Sequence, residues 1–425
     1  YMPMIPQAAI AQTEVITGGL PAQYGDAVGG VISTTTRGPS SEYFGTAEIL
    51  TSVPFDQQDY TLGAFTLGGP ILKSKNGVPK IGFLLASEFQ YAKDPSLQSV
   101  PYINLNEDTL KKLQQNPISI SPSGTTVNYN SEYVTEASLS DAPIRKNNYD
   151  NALRLTGNLQ FKTSRTTTLT VGGRWNYNND IRSSYLDHIF NYDNNLKNIG
   201  SDVTGLIRFQ QVFPDDPDDE GLIKNAFYSF QLDYTHNTSR IFDSRYEEDF
   251  FAYGHTGYYD IQSARAYVRG TEEVNGSNLE AYYFVGYQDT GINYTPGQYN
   301  PVRSNYVSEY FRLAESYNLP TSTIAQLQAQ QVPVNGANPN SVYGLWSSQG
   351  SQQSFRSLGL SAANYYKDNQ NQFRITASTS FDIKDHSLVM GFEYEQRVDR
   401  AWALDATDLW RKMRQLQNRP NSDLD

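Results

Sequence analysis

The chain has 425 residues, a formal net charge of −12 at neutral pH and a mean hydropathy of −0.56. It contains no apolar run of the roughly 18 residues that a membrane helix needs, so a helical membrane protein is excluded. The acidic balance, with no basic stripe, argues against nucleic acid as a partner, and the absence of cysteine rules out disulfides and thiol chemistry.

The 31 Tyr, 20 Phe and 31 Gly, set among many Thr, Ser, Asn and Gln, point to sheets with one wet face. A lack of thiols also suits an extracytoplasmic protein. The opening stretch, YMPMIPQAAIAQ, has none of the features of a secretory signal. Both ends are expected to be cuts in a longer protein.

The first readable segment, residues 13–38, is TEVITGGLPAQYGDAVGGVISTTTRG. An apolar start is followed by Gly18, Gly19, Gly25, Gly29, Gly30 and Gly38. A dinucleotide-binding turn does not fit, because G-x-G-x-x-G is not matched and no crossover helix follows.

After it come segments whose alternate positions are apolar, the mark of a half-buried strand. Weaker examples span residues 42–53, 60–72, 81–93 and 202–213. In LRLTGNLQFKT, Leu153, Leu155, Leu159 and Phe161 oppose Arg154, Thr156, Asn158 and Gln160. In TTLTVGGRWNY, Leu169, Val171, Trp175 and Tyr177 oppose Thr170, Arg174 and Asn176. AFYSFQLDYTH, QFRITASTSFDI and SLVMGFEYEQR repeat the pattern, the last setting Phe392 and Tyr394 against Glu393 and Glu395. That makes about nine strands of transmembrane length.

Links between these segments alternate short and long, as in a meander with tight turns at one end and elaborated loops at the other. Strand ends carry aromatics: Tyr91, Trp175, Tyr177, Tyr234 and Tyr394 on one side, and Phe161, Phe213 and Phe381 on the other. Two interfacial girdles would look like this. The expected fold is therefore all-β: a transmembrane antiparallel up-and-down barrel, with these strands forming the first part of a larger barrel.

Long inserts are expected at about residues 95–150, 180–201, 239–371 and 399–425. The third holds a strand-like EAYYFVGYQDTGINY and two helical stretches, SNYVSEYFRLAESYNL and the capped TSTIAQLQAQQ. Polar inward positions imply a wet lumen, with Arg154, Arg174 and Glu393 as lumen-facing candidates. Asp215, Asp216, Asp218 and Asp219 form a weak calcium candidate that reads better as a solvated turn. His188, His236, His255 and His386 lack metal-ligand spacing. No cofactor is expected, and no nucleophile motif or phosphate loop points to an enzyme.

The glycine-rich start resembles the end of the plug domain in TonB-dependent outer-membrane receptors. The matching residues are Val15 and Ile16, Gly18 and Gly19, Tyr24 and Gly25, Gly29, Gly30, Val31 and Ile32, then Thr34 to Thr36. The resemblance implies that residues 1–40 are the C-terminal end of a plug and residues 41–425 the first part of a barrel of about 22 strands. GAFTLGGPILKSKNGVPKIGFLLASEFQYAKD, with Gly68, Gly69 and Pro70, is similar to the second and third barrel strands of Oar-like receptors.

The resemblance implies a transporter in the outer membrane of a Gram-negative bacterium. Its partners would be outer-membrane lipids, a TonB-type energy-coupling protein in the periplasm and an unknown extracellular substrate. Gly18 to Ile32 would act as gate and barrel anchor. Two rivals share the strand pattern. One is a non-transporting structural or accessory subunit of a larger outer-membrane complex, bound to other outer-membrane proteins or surface lipoproteins; the other is a secreted β-rich adhesin.

Overall fold

The computed structural model describes residues 5–19, 29–38, 40–75, 77–95, 99–184, 187–213, 222–336, 358–359 and 364–417. Strands β1 (Ile10–Ile16) and β2 (Val31–Thr36) form an antiparallel hairpin. The wall begins with β3 (Phe44–Thr51), β4 (Thr61–Lys73) and β5 (Pro79–Ala92). Short strands β6 (Tyr102–Leu105), β7 (Ile118–Ile120), β8 (Val127–Tyr129) and β9 (Leu139–Ala142) belong to the loop that follows, together with helix α1 (Glu107–Gln115). The wall resumes with β10 (Asp150–Lys162), β11 (Thr167–Arg182), β12 (Leu196–Val212) and β13 (Ile223–Phe242). Another loop carries β14 (Gly257–Val274), β15 (Ser277–Pro296), α2 (Pro301–Tyr317) and α3 (Ile324–Ala329). The last wall strands are β16 (Asn364–Ile383) and β17 (His386–Asp405), with α4 (Ala406–Gln417) after them.

Nine wall strands form one antiparallel sheet ordered β3-β4-β5-β10-β11-β12-β13-β16-β17, each beside the next wall strand in sequence. Such an up-and-down ladder is a barrel wall. Register aligns the alternating patterns into rows that cross the sheet. On one face, Phe83, Leu159, Val171, Ile207, Leu232, Ile375 and Tyr394 lie side by side. Leu159, Val171, Ile207 and Phe230 on this face are exposed although apolar. A soluble sheet would bury such a row; hydrocarbon is the solvent that suits it. The opposite face carries the Arg, Asp, Asn and Thr. The sheet is thus part of a transmembrane β-barrel.

The strands run longer than the alternating stretches. β13, β16 and β17 each have 20 residues, whereas about 9–11 tilted residues cross a bilayer. The surplus lies at the long-loop end, in HNTSRIF, NYYKDNQNQ and VDRAWALD. Both faces are wet there, so alternation fades while backbone pairing continues. Three of the expected inserts are shortened in consequence: two span residues 183–195 and 243–363, and the last begins only after Asp405.

Loops at this end share hydrophobic cores. Ile118 and Tyr129 from the first loop pack with Tyr306, Val307, Tyr310 and Leu327 from the third. Leu105, Leu110 and Leu113 pack with Ile189 and Phe190 from the second, and with Leu358. The helices form where their caps are met: Asn300 accepts from the Arg303 N–H ahead of α2, and Thr323 with Gln326 makes a capping box on α3. Tyr310 is buried in this core, and burial pushes its phenol up to about 12.

Candidate functional site

The hairpin β1–β2 sets Val15 opposite Ile32 and Ile16 opposite Val31. Gly30 has φ +135°, and a Cβ there would lie 2.8 Å from the Ile16 carbonyl oxygen, so only glycine closes the hairpin without strain. Gly18 and Gly29 stand in open space. Tyr24 and Gly25 lie outside the described residues.

The segment ahead of the hairpin docks on the polar face of the wall. Ala9 is fully buried in a cluster with Leu84 and Ala86 of β5, flanked by Ile5 and Phe44. Those β5 positions belong to the face that elsewhere carries polar residues: Leu84 pairs with Asn158 and Ala86 with Thr156. The Gln7 N–H points to Glu88 Oε2 at 3.4 Å, and Arg154 Nη1 donates to Glu88 Oε1 at 2.5 Å. An apolar island therefore holds the segment, with a charged pair at its margin. Gly68 serves the same region, since a Cβ on it would meet the Phe44 ring at 2.6 Å.

Beyond the island the wall turns polar and stands away from the hairpin, enclosing a cavity of about 580 Å³. Ser33 to Thr36 line one side; Thr156, Asn158, Arg174, Arg208, Asp233 and Arg374 are among the wall residues on the other. Arg174 Nε donates to Thr204 Oγ1 at 3.2 Å and lies 3.3 Å from Asp202 Oδ1. Arg374 Nε donates to Asp233 Oδ2 at 3.1 Å, and Arg208 Nε to Gln231 Oε1. The Thr204 and Thr235 hydroxyls are 3.0 Å apart.

Of the sequence-predicted lumen residues, Arg174 lines this cavity. Arg154 stands on the same face in the pair with Glu88, and Glu393 lies opposite Thr376, one row from Arg374. Glu88, Asp233, Arg208 and Arg374 were not singled out from the sequence. Their signal was present, since each falls on a polar position of an alternating strand, but cross-strand register was needed to bring them together. Asp215, Asp216, Asp218 and Asp219 lie outside the described residues. No group of three or more potential metal ligands occurs among the described residues. His236 pairs with Asn371, its Nδ1 2.8 Å from Oδ1, and His255 packs among Tyr258, Tyr299 and Trp410.

No family model and no curated protein matches the chain. Among solved structures it is similar to the siderophore receptor PirA from Acinetobacter baumannii, at 12% identity and a TM-score of 0.35, over 92% of this chain and 45% of that one. PiuA, a siderophore receptor from the same organism, gives 9% identity and a TM-score of 0.30, over 93% and 51%. The ferripyoverdine receptor of the outer membrane of Pseudomonas aeruginosa gives 9% and 0.25, over 89% and 40%. The chain spans about half the length of these receptors or less. The fold assignment rests on the strand ladder itself.

Proposed function

We propose that the chain is part of a TonB-dependent transporter of the outer membrane, of the Oar-like branch. Residues 1–40 are read as the end of its plug and residues 41–425 as the first part of its barrel. The observation that carries this reading is the burial of Ala9 on the wet face of the wall, against Leu84 and Ala86. A segment seated inside the lumen side, with a polar cavity beside it, suits a plug that is held at one flank and free to shift at the other. A TonB-type protein would supply the pull, and solute would pass between Ser33–Thr36 and the wall arginines. The branch is proposed on the sequence resemblance around Gly68, Gly69 and Pro70 alone.

The test is electrical and uses the full-length protein in planar bilayers. Deleting residues 10–36 is expected to turn a closed barrel into a large open pore, and unchanged conductance would overturn the plug reading. Retention of a purified periplasmic TonB-type domain by the full-length protein checks the coupling.

A second reading, an accessory subunit of a surface complex, is favoured by the hairpin β14–β15. It exposes Tyr267, Tyr282, Phe284 and Tyr287 beside Arg265 and Arg269, the residue types that dominate protein interfaces. Tyr267 and Tyr287 both contact Phe284, with ring centroids 5.7 and 5.5 Å away. A stoichiometric outer-membrane protein or surface lipoprotein lost from the purified complex on Y282A/Y287A would support it.

A further inference from the structure

The three arginines around the cavity are engaged in one particular way. Arg174, Arg208 and Arg374 each meet their wall partners through Nε. None of their terminal Nη groups has a hydrogen-bond partner among the described residues. The wall thus holds each guanidinium through Nε, and the outer fork of each of these cavity-lining residues, the part that matches carboxylate or phosphate oxygens in two-point contact, stays without a hydrogen-bond partner among the described residues.

Charge on the lining is three arginines against one carboxylate, Asp233. Asp202 touches Arg174 from outside the lining, and Glu395 stands opposite Arg374 in the ladder. Asp202 and Asp233 hold Arg174 and Arg374 through Nε, Gln231 holds Arg208, and Glu393 stands near Arg374 with Glu395. A cavity of about 580 Å³ is in the range for small-molecule sites.

We infer that the cavity between Ser33–Thr36 and strands β10, β11, β12, β13 and β16 binds a small oxyanion, its carboxylate or phosphate held by Arg174, Arg208 and Arg374. The inference rests on the lumen reading given under the proposed function and deepens it, naming the class of solute that lodges beside the plug segment.

Calorimetric titration of the full-length protein in detergent tests this, with glucose 6-phosphate, gluconate and neutral glucose as probes. Binding needs no energy coupling, so failure of the transport reading would leave this result standing, and failure here would leave the conductance test standing. At least one anion should bind, with glucose at least about tenfold weaker. R208Q and R374Q should each weaken the anion roughly tenfold. Tighter binding of glucose 6-phosphate identifies phosphate as the anchored group, and tighter binding of gluconate identifies carboxylate. Heat-modifiable gel mobility verifies that each variant is a folded barrel. Equal binding of glucose, folded variants that bind like the parent, or no binding of either anion would overturn the inference.

Discussion

Arg154 and Glu88 face each other across β10 and β5, and Glu88 uses its second oxygen to face the Gln7 N–H. One carboxylate thus touches both the wall and the N-terminal segment. Replacing it by glutamine removes the charge that strengthens both contacts. In E88Q, local release of the segment should become easier by about 1–3 kcal/mol. A maleimide probe on A9C, in a chain with no other cysteine, should then react at least several-fold faster than in the Glu88 parent.

The two faces of the wall should respond oppositely to charge. Phe230→Arg places a cation on the apolar face and should cost about 2–4 kcal/mol if it lies near the bilayer midplane. Gln231→Arg, one residue along on the wet face, should be tolerated. Urea titrations in lipid vesicles measure both. Brominated lipids should likewise quench fluorophores at Leu159, Phe230 and Phe373 but not one at Gln231.

Glycines of the N-terminal segment should differ in sensitivity. Gly30→Val meets the Ile16 carbonyl and forces an unfavourable φ, so the hairpin should open and protease should cut within residues 10–36. Gly18→Ala has open space around it and should behave as the parent.

The loop cores predict cooperativity between distant segments. Leu327→Ala empties a fully buried site and should cost about 2–5 kcal/mol. Hydrogen exchange should rise together in α2, β7 and β8, because Ile118 and Tyr129 share that core. An effect confined to α3 would contradict a shared core.

Acid should loosen the region around His255. Its imidazole is held below the ordinary value by burial, with Asp249 offsetting part of this, and Nδ1 has no hydrogen-bond partner. Above pH about 6.5 neither folded nor unfolded state carries the proton, and this contribution is complete. As pH falls below that value the unfolded state takes up the proton first, so stability declines toward the lower folded pKa. Hydrogen exchange of residues 252–256 should therefore speed up between pH 7.5 and 5.5, after correction for intrinsic rates, and H255F should abolish the pH dependence.

Much of the wall was legible because period two reports two solvents, and all nine strands emerged where one face meets lipid and the other water. Strands β3, β4, β5 and β12 were the weaker in pattern, and for β5 the fold supplies a reason: Leu84 and Ala86 pack against Ala9 of the N-terminal segment, so β5 is apolar on both sides there. β14 was missed, although its partner β15 was read as a strand; the register shifts at Gln262/Ser263 and Ala266/Tyr267 break the alternation. The cavity lay beyond the sequence because its residues come from six strands, and only register says that Asp233 stands opposite Arg374.

The shared loop core has an immunological consequence. Ile118 and Tyr306 lie far apart in the chain yet within one packed cluster, so sera raised against the folded protein should recognise conformational epitopes that linear peptides from either loop fail to reproduce. Sequence drift in one loop would have to be matched in the other, which makes this rim a slower-changing target than a fringe of independent arms.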